Sequence, residues 1–214
     1  HRNIVILEGS WIGDSTARAF KVCGYTELAE KYQVELVDLQ KDGYHPRKVR
    51  ELEINVCNEL NSVDYLINLP VLKGHCQTRI TCALKNLKGC IPNQEKRRFH
   101  TLGLHKPIAY LSKPVQTDLV IVDGLMGDWD FEEGGNPVQM DRILVGTDPV
   151  LLDSYVAHLL GYEPEEIDYL GLAADLGVGR LYSEQTEVVV LNAQHTTGRI
   201  ASTRSVESLA RLVQ

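Results

Sequence analysis

The chain has 214 residues, 43% of them hydrophobic, and a formal net charge of −7 at pH 7. That length fits a single α/β domain over residues 1–214, with enough hydrophobic residues for a sizeable core. The acidic balance and an aromatic content of only 7% disfavour nucleic acid binding, and no apolar run reaches the roughly 18 residues of a membrane span. Because the first residue is His and not Met, we expect the chain to be a piece of a longer protein.

Strand and helix patterns alternate in the first part of the chain. Short apolar runs bounded by turn residues predict strands, and apolar residues at intervals of three and four predict helices. The predicted strands are Ile4–Leu7 and Val34–Leu39, and the predicted helices begin at Thr16 and cover Tyr25–Tyr32. Such alternation favours right-handed crossovers, so we predict a mainly parallel, Rossmann-like sheet with helices on both faces.

The first strand leads into a glycine-containing loop of small polar residues. A strand, such a loop and a helix start together form a common anion-binding arrangement, because backbone amides point at the ligand. Gly9, Ser10 and Ser15 are therefore candidate ligand-binding residues. The alternative is an ordinary tight turn with Asp14 or Ser15 as the helix cap, since the loop matches neither a P-loop nor the G-x-G-x-x-G motif.

The segment from Asn68 to His100 concentrates the polar chemistry of the chain. The apolar run Asp64–Pro70 leads into it and predicts a buried strand ended by proline. The end of that strand would deliver Lys73 and His75 into a loop at the carboxyl edge of the sheet, where ligands bind in open α/β folds. Lys73 is thus a candidate ligand-binding residue, and His75 is a candidate catalytic residue.

A helix is predicted after His75, because Ile80, Leu84 and Leu87 recur at helical spacing. Hydroxyl and ammonium groups share another face of this helix, and such a face suits an anion. The candidate catalytic residue on it is Lys85, and the candidate ligand-binding residues are Thr78, Thr81 and Asn86.

More basic residues precede His100, the third candidate catalytic residue. The run Lys96–Arg98 is either a solvated surface loop or part of a positively charged site. A basic cluster on an acidic protein favours an anionic ligand.

Two carboxylates further along the chain are candidate ligand-binding residues. Asp123 ends a predicted strand before the acidic loop Gly127–Gly135, which could hold a divalent ion with Asp123 or act as a flexible lid. Asp153 lies on the apolar helix Val150–Leu160, where an unpaired carboxylate costs several kcal/mol. It therefore either pairs with a site lysine, Lys85 or Lys73, or serves as a structural cap or salt bridge.

The remaining predicted elements follow from the same periodicities. They are a half-exposed strand or hairpin arm at Val49–Val56, a helix at Leu104–Val115, strands at Thr117–Asp123, Arg142–Gly146 and Glu187–Leu191, and helices at Glu163–Leu176 and Ser205–Val213.

Five cysteines occur without a C-x-x-C pair, at positions Cys23, Cys57, Cys76, Cys82 and Cys90. An odd number without tight pairs argues against a disulfide framework and against a zinc or iron–sulfur site of the chain's own. We expect reduced thiols in a cytoplasmic protein, and we assign no metal ligands.

Several blocks of the sequence resemble the domain-of-unknown-function family numbered 362. They read NLPVLKGH, TCALKNLKGCIP, KRRFH, VIVDG and GTDPVLLDSYVAHLLG, and the resemblance runs from about Glu8 to Gly179. The family is named for lacking an assigned activity. Many members resemble iron–sulfur proteins through a ferredoxin-like domain with clustered cysteines. Since this chain lacks such clusters, the resemblance implies an iron–sulfur partner or a missing domain.

The order His75, Thr81, Lys85 and His100 is also similar to the His-x5-Thr-x3-Lys…His arrangement of the nickel-pincer lactate racemase family. In that family the lysine holds the cofactor, and the histidines act at the metal or as acid and base. The glycine-rich surroundings of the family's lysine are replaced here by Arg79–Leu84. The identity of any cofactor in this chain therefore stays open.

Two classes of function are consistent with these observations. In the first, the chain is an enzyme that acts on a small carboxylate- or phosphate-bearing molecule in a cleft formed by residues 68–100. His75 and His100 would move protons, and Lys85 would bind negative charge or act as a nucleophile or covalent anchor. In the second, the chain is a non-catalytic module that docks or shares an iron–sulfur redox partner. The first predicts that the three catalytic candidates converge, and the second predicts that they are dispersed and that the cysteines are exposed.

Overall fold

A computed structural model describes residues 4–129, 135–192 and 195–200, with side chains described up to residue 191. This part of the chain forms eleven strands and seven α-helices. The strands are β1 (Val5–Glu8), β2 (Glu35–Asp38), β3 (Tyr44–Val49), β4 (Leu52–Cys57), β5 (Ile67–Asn68), β6 (Val71–His75), β7 (Arg79–Thr81), β8 (Leu119–Asp128), β9 (Pro137–Gly146), β10 (Val188–Asn192) and β11 (His195–Ile200). The helices are α1 (Thr16–Val22), α2 (Tyr25–Tyr32), α3 (Ala83–Asn86), α4 (Asn93–Thr101), α5 (His105–Leu111), α6 (Pro149–Leu159) and α7 (Asp168–Asp175).

The central sheet has five strands and is mixed. Its long strand β8 pairs with β9 in the antiparallel sense and with β5 and β6 in the parallel sense, and β7 adds to β6 as an antiparallel edge strand. Three further sheets of two strands are a parallel β1–β2 pair, a β3–β4 hairpin and an antiparallel β10–β11 pair. The predicted α/β class is confirmed. The mainly parallel, Rossmann-like sheet is not, because four of the seven pairings among the described strands are antiparallel.

The core lies on one face of the central sheet. Val120 and Val122 of β8 and Leu72 of β6 are buried there, together with apolar residues of α3, α5, α6 and α7. Alternate residues of the same strands point to the other face, as pleating requires, and Val71 and Ile143 on that face are 43% and 57% exposed. Helix coverage on both faces of this sheet is therefore not confirmed.

The N-terminal elements match the prediction closely. β1, α1, α2 and β2 all form where the periodicity places them, and α1 begins after Ser15, whose hydroxyl accepts a hydrogen bond from the Arg18 amide. The elements predicted at 104–115, 117–123, 142–146, 150–160 and 187–191 are confirmed as α5, β8, β9, α6 and β10. The segment 163–176 forms a 3-10 turn followed by α7.

The prediction for the segment around His75 is wrong in two respects. Lys73 and His75 lie on β6 rather than in a loop, and Arg79–Thr81 forms strand β7 where a helix was expected. The helix is reduced to the four residues of α3. Ile80 would be buried in a helix as well as in a strand, so its apolar character does not distinguish the two. The backbone of Arg79–Thr81 pairs with β6, and such tertiary pairing overrides a short helical pattern.

The outcomes for the Lys96–Arg98 run, the C-terminal helix and the acidic loop are as follows. The run Lys96–Arg98 belongs to helix α4 instead of a surface loop. The predicted helix Ser205–Val213 and residues 130–134 of the acidic loop lie outside the described residues. Among the helices of the described ranges, none combines the length and apolar character that crossing a bilayer requires.

Candidate functional site

Four predicted site residues come together at the end of the β6–β7 hairpin. Lys73 and Thr81 are paired across the two strands, so their side chains lie on the same face of the sheet. Lys85 reaches back from α3, and its Nζ donates to Thr81 Oγ1 at 2.9 Å. Lys85 is only 6% exposed, and His75 shares the face with Lys73 because it lies two residues along the same strand. This group of residues, Lys73, His75, Thr81 and Lys85, is called the lysine site below.

The ring of His75 is held by backbone amides. Its Nδ1 accepts from the amides of Gln77 and Thr78, both at 3.1 Å. An Nδ1 that accepts two hydrogen bonds carries no proton, so the neutral ring has its N–H on Nε2. Thr78 has a structural part in this arrangement, because its hydroxyl donates to the carbonyl of Ile80 in the same hairpin.

Helix α3 is held in place by two polar side chains from other elements. The carboxylate of Asp153 on α6 accepts from the amides of Ala83 at 2.6 Å and Leu84 at 3.0 Å. Asn68 on β5 donates to the carbonyl of Ala83 at 2.9 Å and accepts from Asn86 at 2.8 Å. The short helix that carries Lys85 is therefore fixed at its first residues and at its last.

Asp153 caps the start of α3. A structural cap was one of the two alternatives that the sequence left open, the other being an ion pair with Lys85 or Lys73. Both carboxylate oxygens are taken up by backbone amides rather than by Lys85 or Lys73. Burial raises the pKa of Asp153 to about 7, and the two amides act in the opposite direction. Burial also raises the pKa values of Cys82 and Tyr169, which lie beside it.

Replacing Asp153 with Asn tests the cap. The Asn side chain has one acceptor oxygen, and its NH2 group would face a backbone N–H that needs an acceptor. We therefore expect the free energy of unfolding at pH 7 to fall by about 1–3 kcal/mol. Because the pKa of Asp153 is raised on folding, to about 7 from the ordinary 3.8, its contribution to stability decreases as the pH rises between those values. Urea unfolding at pH 5 and pH 8 should show the advantage of the wild type over Asp153→Asn shrinking at the higher pH. An advantage that grows with pH would contradict the raised pKa of Asp153, and equal stabilities of the two proteins at both pH values would contradict the cap.

A second polar cluster, which the sequence did not identify, is built around Lys96 on α4. Lys96 is 4% exposed, and its Nζ donates to the carbonyl oxygens of Gly9 at 2.8 Å and Ser10 at 2.6 Å. Burial lowers its pKa to about 8, while the nearby carboxylate of Glu8 acts to raise it. Burial in turn raises the pKa of Glu8, against the pull of the Gly9 amide and of Lys96. A charged side chain from α4 thus ties down the loop that follows β1.

Three further hydrogen bonds lie within the loop from Gly9 to Ser15 or join it to the start of α1. The Ser10 amide donates to Thr16 Oγ1, the Ser10 hydroxyl donates to the Asp14 carbonyl, and the Ser15 amide donates to the Asp14 carboxylate. The loop presents the carbonyl oxygens of Gly9 and Ser10 to a lysine. Ligand binding at Gly9, Ser10 and Ser15 stays a prediction.

The hydrogen bonds of His100 and Asp123 described here are made with residues outside the lysine site. His100 lies on α4, and its Nε2 is 3.4 Å from the ammonium of Lys88. Asp123 is exposed in the middle of β8, and its carboxylate accepts from the Leu125 amide at 3.0 Å. The structure thus joins Lys85 to Thr81 of the β6–β7 hairpin, and His100 to Lys88.

Three further residues of these clusters were not among the predicted site residues. Asn68 and Asp128 are buried polar residues on β5 and β8, and Asp128 is paired with Lys73 across the sheet. Only the strand register brings them to the site. Lys96 left a usable signal, because it lies three residues before Phe99, and Phe99 marks the buried side of a helix.

The cysteines are free thiols, and they differ in exposure. Cys57 and Cys82 are buried and Cys90 is half-buried, whereas Cys23 and Cys76 are exposed. Burial raises the pKa of Cys57 to about 11 and that of Cys90 to about 12. Among the described residues no three His, Cys, Asp or Glu side chains are placed to hold a metal ion together.

Comparison with known proteins gives a family and one distant relative. The family described as "Domain of unknown function (DUF362)" matches residues 1–158. A thylakoid-associated protein of Synechocystis sp. is 27% identical over 170 residues, which cover 76% of this chain and 53% of the relative. The chain therefore spans about half the length of that curated relative. No solved structure is significantly similar to the chain. With most of its length matched, the chain belongs to the DUF362 family, the family that its sequence blocks resemble.

Proposed function

We propose that the chain binds a small carboxylate- or phosphate-bearing molecule at the lysine site and acts on it as an enzyme. The observation that carries the proposal is the buried ammonium of Lys85, held by Thr81 at 2.9 Å. Lys73 lies across the strand pair from Thr81. Lys73 on β6 and Lys85 on α3 bring two cationic side chains towards Thr81, near the carboxyl end of the parallel strand β6, and such a pair favours an anion.

The side chains have distinct roles in this proposal. Lys73 and Lys85 neutralise the negative charge of the ligand through charge-assisted hydrogen bonds. His75 offers the N–H of Nε2, so it donates a hydrogen bond to an oxygen of the ligand. Asp153 positions the site by holding α3. His100 on α4 lies beside Lys88, and the part of His100 in proton transfer stays a prediction.

The burial of Cys82 favours this proposal over the redox-docking alternative, while Cys23 and Cys76 are exposed, as that alternative predicts. A cluster shared with another protein needs exposed thiolates. Cys82, next to the lysine site in sequence, is buried, and burial raises its pKa well above the ordinary value. The thylakoid association belongs to the name of the Synechocystis relative, and the cytoplasmic location expected from the sequence stays a prediction for this chain.

The test is to replace Lys85 with Met, which keeps the length of the side chain and removes its charge. Inorganic phosphate and small carboxylates such as acetate and succinate serve as probes in calorimetric titrations and thermal-shift measurements. We expect the wild type to bind at least one of them, and Lys85→Met to bind it at least about tenfold more weakly, because a charge-assisted hydrogen bond is worth about 1.5–3 kcal/mol.

Lys31→Met is the matched control, because Lys31 lies on the exposed helix α2. It should bind the probe as the wild type does. Equal affinities of Lys85→Met and the wild type, or no binding of any probe by the wild type, would contradict the proposal. Circular dichroism of Lys85→Met separates loss of the ligand from loss of the fold.

A further inference from the structure

A chain of hydrogen bonds connects His105 with His75 of the lysine site. The Nε2 of His105, the first residue of α5, lies 3.2 Å from the carbonyl oxygen of Gln77. A carbonyl oxygen only accepts hydrogen bonds, so this nitrogen carries a proton and donates it. The amide of Thr78 belongs to the same peptide group as that carbonyl, and it donates to Nδ1 of His75 at 3.1 Å. One peptide group, between Gln77 and Thr78, therefore joins the two imidazole rings.

Buried side chains hold both ends of this chain in place. The ring of His105 packs against the ring of Tyr169 on α7, with the two centroids 5.9 Å apart. Tyr169 is fully buried, and at the other end Thr78 and His75 are buried as well. The two imidazoles are therefore fixed by packing as well as by the peptide group between them.

The turn that carries this peptide group is strained. Arg79 has a φ of 65°, which lies in the left-handed region that favours glycine. The Ile80 amide donates back to the Thr78 carbonyl at 2.7 Å, and this bond closes a three-residue turn of a rare and strained kind around Arg79. Strain of this sort persists only where the surroundings hold it, and it clusters at functional sites. The hydrogen bond from His105 is one of the contacts that hold this turn.

We infer that His105 is a positioning residue of the lysine site, which acts on His75 through the peptide group between Gln77 and Thr78. A peptide group whose carbonyl accepts a hydrogen bond is a stronger donor at its N–H, because the bonds in such a chain polarise one another. His105 thus strengthens the hydrogen bond from the Thr78 amide to Nδ1 of His75, which keeps the ring proton on Nε2. This role rests on the proposed function in one respect, since the Nε2–H of His75 meets the ligand of the lysine site.

Two substitutions of His105 separate its hydrogen bond from its packing. His105→Phe keeps a ring against Tyr169 but has no donor, whereas His105→Gln keeps an N–H donor and has no ring. Amide hydrogen exchange followed by NMR measures how firmly the turn is held. We expect the Thr78 amide to exchange about tenfold faster in His105→Phe than in the wild type, because its weakened hydrogen bond opens more often. His105→Gln should restore the slow exchange.

The ring nitrogens of His75 give a readout that a purely structural role of His105 would not move. At pH 8 the nitrogen chemical shifts of the wild type should be those of a ring with its proton on Nε2. In His105→Phe the shift of Nδ1 should change, because that nitrogen then accepts a weaker hydrogen bond. The phosphate or carboxylate probe that binds at the lysine site should bind about two- to tenfold more weakly to His105→Phe. Its affinity for His105→Gln should be that of the wild type.

His45→Phe is the matched control, because His45 lies on β3 and is hydrogen-bonded to Asn58. It should leave the Thr78 exchange rate, the His75 shifts and the affinity for the probe unchanged. The positioning role is overturned if His105→Phe keeps the exchange rate and ring shifts of the wild type, or if His105→Gln disturbs them as much as His105→Phe does. It is also overturned if both NMR readouts change while the probe binds His105→Phe as tightly as the wild type.

Failure of the proposed function looks different from failure of this role. A wild type that binds no probe contradicts the proposed function alone. The exchange of the Thr78 amide and the ring shifts of His75 then still decide whether His105 holds the His75 ring, because neither measurement needs a ligand.

Discussion

Replacing Gly9 with alanine is expected to lower the free energy of unfolding by about 3 kcal/mol or more. A Cβ atom at this position would lie 2.1 Å from the carbonyl oxygen of Gly89 and 2.6 Å from Nε2 of Gln40. The nearest obstacle is backbone, so the loop after β1 and the turn after α3 would have to separate. Chemical unfolding monitored by circular dichroism measures the loss.

Gly171 provides the control for this substitution. It lies inside α7, and a Cβ there meets no atom within 4 Å. Gly171→Ala should therefore raise the free energy of unfolding by about 0.5–1 kcal/mol, since alanine loses less backbone entropy in a helix. If both alanine variants unfold at the same denaturant concentration, the close approach of Gly9 to Gly89 is not part of the folded protein in solution.

Replacing Lys96 with Met is the second change with a large expected effect. Met fills a similar volume but leaves the carbonyls of Gly9 and Ser10 without their donor and Glu8 without a nearby cation. Removing one partner of a buried charged group usually costs about 3–5 kcal/mol. For a chain of this size such a loss lowers the melting temperature by on the order of 10 °C. Scanning calorimetry at pH 7 measures it.

Arg97→Met is the control on the same helix, because Arg97 is exposed and its change should alter stability by less than about 0.5 kcal/mol. The pH dependence gives a second readout. The folded pKa of Lys96, about 8, lies below the ordinary 10.5, so the unfolded chain binds more protons between these values. The contribution of Lys96 to stability therefore rises with pH in that window. A difference between wild type and Lys96→Met that stays constant from pH 7 to pH 10 would speak against a buried lysine.

These two changes test how the first βα loop packs against the turn at Gly89 and against Lys96 of α4, contacts that short-range sequence patterns did not predict. The loop was predicted to bind an anion through its amides, and Lys96 was expected either in a surface run or at a charged site. Each prediction used only the residue types and spacing within its own segment. The contact joins residues more than 80 positions apart, so the sequence of one segment does not indicate that it packs against the other.

The lysine site shows how a partly wrong local prediction can still identify the right residues. Lys73, His75, Thr81 and Lys85 were selected for a strand end followed by a helix, whereas three of them lie on the β6–β7 hairpin. Their convergence survives because adjacent residues of paired strands meet on one face, much as residues of one helix face do. His100 was included on the same reasoning. It lies on α4, which is not part of the hairpin, and its side chain is beside Lys88.

The sequence by itself determined the family, the α/β class and most elements in the N-terminal third, because hydrophobic periodicity, capping residues and motif spacing act within a few residues. It also determined that Asp153 needs a partner, since a carboxylate on an apolar helix cannot stay unpaired. Only the tertiary structure decided that the partner is the start of α3 and that the sheet is mixed. Strand pairing, register and the burial of Lys96 depend on contacts between distant segments, whose free energy is gained only when the chain has folded.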